Sequence, residues 1–410
     1  MFSITGGKFT LYQSIILYRK FKATHLFTGY EILTGNNVLI TNEAGTIIEI
    51  IDEKDAGDNI ETFSGILTPG LINCHCHLEL SHMKGIVPTK TGLVEFVQQV
   101  MSKRNGSEEI KFAAMQNAEQ ELYNSGTVAI GDICNTTDSI FIKQKSKIHF
   151  QNFIEVSGFV DAAAEKRFND AKKVQDEFEI RNSKFKISLS PHAPYSVSKT
   201  LFQLLNNETK DQLITIHNQE CAAEDELYKT KTGDFLNLYK NFGIDISGFE
   251  PTGRSSLQSW FPYFTNNQSV ILVHNTFINQ DDIEFLQTTN DQRSTTNFCI
   301  CANANLYIEQ KMPPIDLLRK NNCTIVIGTD SYASNWQLNI LEEIKTIQQQ
   351  TSNTIPLQEI LQWATINGAK ALQLQEKFGS FEKEKQPGVV LIDEIKESNV
   401  TSSSSAKRLI

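Results

Sequence analysis

Eight short runs rich in valine and isoleucine recur after residue 66, and stretches with helical spacing separate them. They are GLINCHC (70–76), TVAIGDI (127–133), KIHFQNFIEV (147–156), FKISLS (185–190), LITIH (213–217), VILVH (270–274), TNFCI (296–300) and CTIVIG (323–328). Between them lie amphipathic segments such as EEIKFAAMQNAEQELYNSG and PPIDLLRKNN. That alternation is the mark of repeated βα units. Eight of them over about 320 residues predict an α/β chain closed as a (β/α)8 barrel, slightly longer than the ~250 residues typical of that fold. An open doubly wound sheet is the alternative, but no glycine-rich fingerprint follows the first run. Residues 23–66 add short strand-like runs, and PGVVLIDEI (387–395) adds one near the other end. The expected division is therefore a barrel over 67–386 and a small β domain built from 1–66 and 387–410. The closing KESNVTSSSSAKRLI is polar and low in complexity, which predicts a disordered tail.

A chain of 410 residues with 40% apolar content can bury one large core. Its net charge of -10 comes with no basic stripe, so nucleic acid and anionic membranes are poor partners and a small molecule is the better one. No apolar segment reaches the ~18 to 20 residues of a membrane span. The opening MFSITGGKFTLYQSIILYRK lacks the parts of a secretory signal, and the cytoplasm is the expected location. The seven cysteines are odd in number and form no CxxC pair, which predicts reduced, mostly buried thiols.

Strand side chains alternate between faces, so His75 and His77 share one face and Cys74 and Cys76 the other. In a barrel the histidines belong inside and the small thiols behind, under the helices. Five of the eight histidines, namely His75, His77, His192, His217 and His274, fall at or just past the ends of predicted strands. Barrel enzymes gather their active-site groups at that rim. His75, His77 and His217 offer three imidazoles, and Asp330 in IGTDS after the last strand offers a carboxylate. Three nitrogens and one oxygen suit Zn2+, with Fe2+ a realistic substitute.

HCH after the first strand, HNQE after the fifth, VHNT after the sixth and GTDSYASN after the eighth resemble the amidohydrolase superfamily, in its cytosine/guanine deaminase and chlorohydrolase branch. The likeness extends through SPHAPYSVS, GFEPTGRSSL and ANANLYIEQKMPPIDLLRKNNCTIVIGTDS. It implies a (β/α)8 barrel with a small β-sandwich from both termini, and one metal per subunit held by His75, His77, His217 and Asp330. It also implies hydrolytic deamination of an aminated heterocycle by a zinc-activated hydroxide. Glu220 would carry a proton to a ring nitrogen, and His274 with Asp330 would orient or deprotonate the water. Dinuclear relatives need a lysine at the end of the fourth strand, where this chain has SLSPHAPYS, so His192 is left for substrate.

HLELS and PHAPYS are similar to aminodeoxyfutalosine and other adenine-type nucleoside deaminases, which favours a purine nucleoside-like substrate. Glu79 is expected either to touch the substrate or to brace a metal histidine. Asn305 is a contact or a turn former, and Trp336 and Phe249 are candidates to cover the ring. Dechlorination, deamination of a triazine, pterin or guanine, and an inactive metal-binding scaffold are the alternatives, with a homo-oligomer possible. Two departures from the family stand out: QPGVVLIDE is a shortened C-terminal motif, and the first ~20 residues have no family counterpart.

Overall fold

The computed structural model describes residues 18–182, 184–289 and 295–410, so most of the unmatched amino-terminal stretch lies outside the described residues. Five strands open the described chain: β1 (Tyr18–Phe27), β2 (Ile32–Thr34), β3 (Asn37–Asn42), β4 (Ile47–Asp52) and β5 (Ile60–Pro69). Eight more follow in the order the sequence predicts: β6 (Leu71–Cys76), β7 (Thr127–Cys134), β8 (His149–Val156), β9 (Lys186–Pro191), β10 (Leu213–Asn218), β11 (Ser269–His274), β12 (Thr296–Ile300) and β13 (Thr324–Ile327). The last two are β14 (Val389–Ile392) and β15 (Ala406–Arg408).

The terminal strands form a single seven-stranded sheet in the order β15-β14-β5-β1-β3-β4, with β2 on β1. Its inner face buries Phe21, Leu26, Leu39, Leu67 and Val389. Two expectations change here. β5 continues past residue 66, pairing Leu67 with Leu391 and Pro69 with Val389, so the sheet claims residues as far as Pro69. The tail, expected to be disordered, carries β15, which pairs Lys407 with Leu391. Arg408 explains the order: Nε donates to Tyr123 O at 2.9 Å and Nη2 to Thr127 O at 2.6 Å. The guanidinium thus satisfies a carbonyl in the last turn of the helix Glu108–Asn124.

That helix shows how the sequence sets its own ends. Ser107 Oγ accepts from Ile110 N, Glu108 and Glu109 occupy the first turn, and the chain turns at Gly126 with φ 92°. A Cβ at Gly126 would lie 2.6 Å from Val390 Cγ2, so only glycine lets the turn pass under β14.

β6 to β9 form one parallel four-stranded sheet and β10 to β13 another. The sheets meet twice. Cys76 on β6 bridges in parallel to Asp330 beyond β13, and His217 N on β10 donates to His192 O beyond β9 at 3.0 Å. Cys76 packs with Met115, Ala118 and Leu122 of the helix Glu108–Asn124, as expected, but a register shift between Asn73 and Cys76 interrupts the alternation of β6, and Cys74, with Sγ against Gly368 O, packs in a separate cluster with Ala129, Phe153 and Cys299. Among the described residues no helix is long and apolar enough to cross a membrane.

Candidate active site and metal centre

The two seams bring the sequence-predicted residues together. Asp330 N and Thr329 N both donate to His75 O at 3.0 Å, while Asn73 Oδ1 accepts from Thr329 N at 3.1 Å. The eighth-strand loop is therefore bolted to the first strand through backbone bonds. Asp330 and His274 adopt left-handed backbone, with φ of 57° and 71°. For residues other than glycine that conformation carries strain, which the surrounding bonds must hold. Ser334 Oγ donates to Asp330 Oδ2, and Asn335 Nδ2 bridges Thr329 O at 2.8 Å to Glu343 Oε1 at 2.9 Å.

One ligand atom from each of His75, His77, His217 and Asp330 lies within 4.8 Å of the others, and all four residues are buried. His75 Nε2 and His77 Nε2 are 3.1 Å apart and lie 3.4 and 3.2 Å from Asp330 Oδ1. Donors around a four- or five-coordinate cation with bonds of ~2.0–2.1 Å stand about 2.9 to 3.6 Å apart, so the set fits a zinc-like ion. His217 Nδ1 is bonded to His192 O at 2.7 Å, which turns its other nitrogen toward the cluster. Burial, with neighbouring imidazoles adding to it, holds His217 well below the ordinary histidine range, and burial also lowers His75. Both keep free lone pairs at neutral pH. Burial would raise the Asp330 carboxyl, but hydrogen bonds from His75 and His77 outweigh it and keep the group well below the usual carboxylate range. Burial would likewise lower His77, yet its bond to Asp330 leaves it raised.

A cavity of about 480 Å3 opens over this cluster. Leu93, Phe96, Val97 and Val100 of the helix Leu93–Lys103 form one wall, and Val156 and Val174 stand in another. His77, Glu155, His192, His217, Glu220, His274 and Asp330 are among its polar lining, with Arg104 and Arg167 also facing it. Glu220 and His274 face each other, with Oε1 and Nε2 3.5 Å apart. Burial, reinforced by the charge of Asp330, pushes the Glu220 carboxyl well up. Burial takes His274 down to about 4. Its Nε2 is buried without a hydrogen-bond partner, and its Nδ1 lies 3.4 Å from Asn305 Oδ1. A carboxyl biased toward holding its proton and an imidazole biased toward losing one thus stand side by side.

The other candidates divide. His192 lines the cavity, with Nδ1 2.6 Å from Ser196 Oγ. Asn305, anchored to Thr276 Oγ1, touches His274 and not the cavity. Glu79 does neither of the things expected of it. Its oxygens accept from Asn135 N at 3.0 Å and Thr136 N at 3.1 Å, tying the loop after β6 to the loop after β7. It bonds neither metal histidine, and burial raises its carboxyl to about 7. Trp336 is 49% exposed, packs on Tyr307 at 5.2 Å and lines no part of this cavity. Phe249 sits away from it too, against Phe159 and Tyr228.

Sequence reasoning missed two features. Glu155 ends the inward-facing series Gln151, Phe153, Glu155 on β8, a parity that its strand register would have shown. Lys143 and Asp132 form a fully buried ion pair at 2.6 Å, and Asp132 Oδ1 accepts from Leu78 N at 2.8 Å, fixing the chain just after His77.

Residues 66–408 match the amidohydrolase family, and the chain belongs to it. The 5'-deoxyadenosine deaminase of Methanococcus vannielii is 29% identical over 357 residues, 82% of this chain and 75% of that protein. The aminofutalosine deaminase of Helicobacter pylori, solved in complex with methylthio-coformycin, superposes with a TM-score of 0.77 at 22% identity, covering 96% of this chain and 100% of that one. An adenosine deaminase from Xanthomonas campestris with bound zinc gives 0.70 at 20% identity, covering 91% and 84%. These structures share the fold.

Proposed function

We propose that this protein is a zinc-dependent hydrolase that removes the exocyclic amine of a purine nucleoside as ammonia. The observation that carries the reading is the pairing of Glu220, whose carboxyl burial raises, with His274, which burial lowers, 3.5 Å apart above three imidazoles and a carboxylate. A structural metal site needs no such pair and no cavity. A divalent cation would be held by His75, His77, His217 and Asp330, and would supply Lewis acidity that brings the ionisation of water toward neutral pH. His274 Nε2, free and directed at the cavity, accepts a proton from water as the oxygen adds to the amine-bearing ring carbon. Glu220 gives its proton to the adjacent ring nitrogen, so the added electron pair ends as a neutral N–H. His274 returns its proton to the amine and Glu220 takes the proton of the added hydroxyl, so that the C–N bond breaks, ammonia leaves, both side chains are restored and the ring is left as a lactam. Asn305 orients His274, while Ser334 and the Glu343–Asn335 link hold Asp330.

The nucleoside assignment is supported by a cavity with room for more than a bare base and by relatives whose substrates are adenosine derivatives. In the same reading the parallel sheets β6–β9 and β10–β13 close through their two seams into a (β/α)8 barrel that begins at β6, and the seven-stranded sheet is a small domain made by both termini. The seven cysteines are all unpaired and six are buried, as a reducing compartment leaves them, and the cytoplasm is the assigned location. Ammonia release over 5'-deoxyadenosine, 5-methylthioadenosine, aminodeoxyfutalosine, adenine, guanine and a chlorotriazine tests the proposal. The nucleosides should lead; chloride release from the triazine with no ammonia from any nucleoside would overturn it.

A further inference from the structure

A second convergence of donors lies in the same cavity, beside the first. Glu155 near the end of β8, His192 just past β9 and His217 on β10 bring a carboxylate oxygen and two ring nitrogens within 4.8 Å of one another. No hydrogen bond joins the three side chains. Glu155 Oε2 takes Asn135 Nδ2 at 2.6 Å, but Oε1 is buried with no partner. His192 Nδ1 is committed to Ser196 Oγ, which leaves Nε2 as its free donor, and the His217 ring is fixed by its bond to His192 O. Imidazoles oriented through one nitrogen, close to a carboxylate that keeps one oxygen unpartnered, are the kind of arrangement that metal-binding histidines show. Burial would raise the Glu155 carboxyl, but His192 and His77 outweigh it and the group stays ionised.

We propose that Glu155 and His192 hold a second, weaker divalent-cation site in the cavity, and that an ion there blocks substrate. The site is weaker for two reasons. The free lone pair of His217 serves one ion at a time and belongs to the four-residue centre, so the second ion keeps two protein donors and water. Two cations so close together also repel. Both residues line the cavity, so an ion between them occupies space the substrate needs.

Zinc uptake by the metal-free protein, followed by equilibrium dialysis and metal analysis, tests this whatever the reaction proves to be. Wild type should take up one ion at low free zinc and a second at higher free zinc. Glu155→Gln and His192→Asn should each stop at one. If the nucleoside deaminase reading holds, wild-type turnover should fall with the same zinc midpoint as the second uptake, competitively with substrate. Uptake that ends at one ion in wild type overturns the site, as does a second step that persists in either variant. Should one variant fail to hold even the first ion, the other decides. A single uptake step together with a raised KM in Glu155→Gln would instead give Glu155 to an N–H or O–H of the substrate, and the cation site would be wrong.

Discussion

Replacing Glu220 by glutamine separates proton delivery from everything else the site does. The amide keeps the size of the side chain and can still donate a hydrogen bond, but it cannot give up a proton. General acid catalysis is worth about 10^2- to 10^4-fold in rate. The surroundings decide where in that range this enzyme falls, because a substitute acid would soften the loss. None is at hand in the resting site: His274 sits at about 4, burial lowers His192 and His217, Asp330 is held ionised, and the proton that His274 takes from water is the one the leaving amine needs. We therefore expect kcat for 5'-deoxyadenosine to fall by roughly 10^3 to 10^4, about 4 to 5.4 kcal/mol, with KM and zinc content little changed. Stability should move the other way. A carboxyl whose folded pKa is raised favours the fold fully only below its unfolded value, and that contribution is lost as pH rises toward the folded one. The glutamine has no such loss, so at pH 7 the metal-free variant should resist urea at least as well as its parent. Initial rates of ammonia release, metal analysis and urea melts suffice. A zinc-loaded variant within tenfold of wild-type kcat would refute the role of Glu220.

Lys143→Met would strand the Asp132 charge in the core and should cost about 3 to 5 kcal/mol in urea unfolding, whereas Lys143→Met with Asp132→Asn should recover much of it; a single-variant loss under ~1 kcal/mol would mean the pair is not buried as described. Gly328→Ala puts a Cβ 2.8 Å from both Cys299 Sγ and His75 Cβ, so it should lower zinc occupancy and destabilise by about 1 to 3 kcal/mol; full occupancy would contradict that packing. Burial raises Glu79 to about 7 and Glu224 and Glu343 to about 8, so their contribution to stability is lost as pH rises through 7 to 8, and the urea midpoint should be lower at pH 9 than at pH 6. An equal or higher midpoint at pH 9 would argue against their burial as protonated acids.

The eight parallel strands were legible because each is a compact apolar run of the right length, and the convergence of His75, His77, His217 and Asp330 because strand ends place them without knowledge of what packs against them. Glu79 was not legible. Its spacing from His77 points it toward the cavity, but the short 3-10 turn Leu78–Met83 carries it to the backbone of Asn135, more than fifty residues ahead. Trp336 was misjudged for a similar reason: its partner Tyr307 lies in the helix Ala302–Glu309, distant in sequence, and nothing local says which way the ring will fall. The tail KESNVTSSSSAKRLI has the composition of a disordered segment, yet Arg408 finds carbonyl acceptors on Tyr123 and Thr127, and composition carries no record of such distant acceptors. Glu155 was hidden inside a run that reads as apolar, although its parity with Phe153 and Gln151 was available.

The account rests on four side chains sharing one ion, and anomalous diffraction at the zinc edge, from crystals given one equivalent of Zn2+, addresses it directly. A single strong peak within ~2.0–2.2 Å of donors from His75, His77, His217 and Asp330 is the expected result. A map with no peak among these residues, or with the zinc bound elsewhere while they remain apart, would contradict the metal centre and the chemistry built on it.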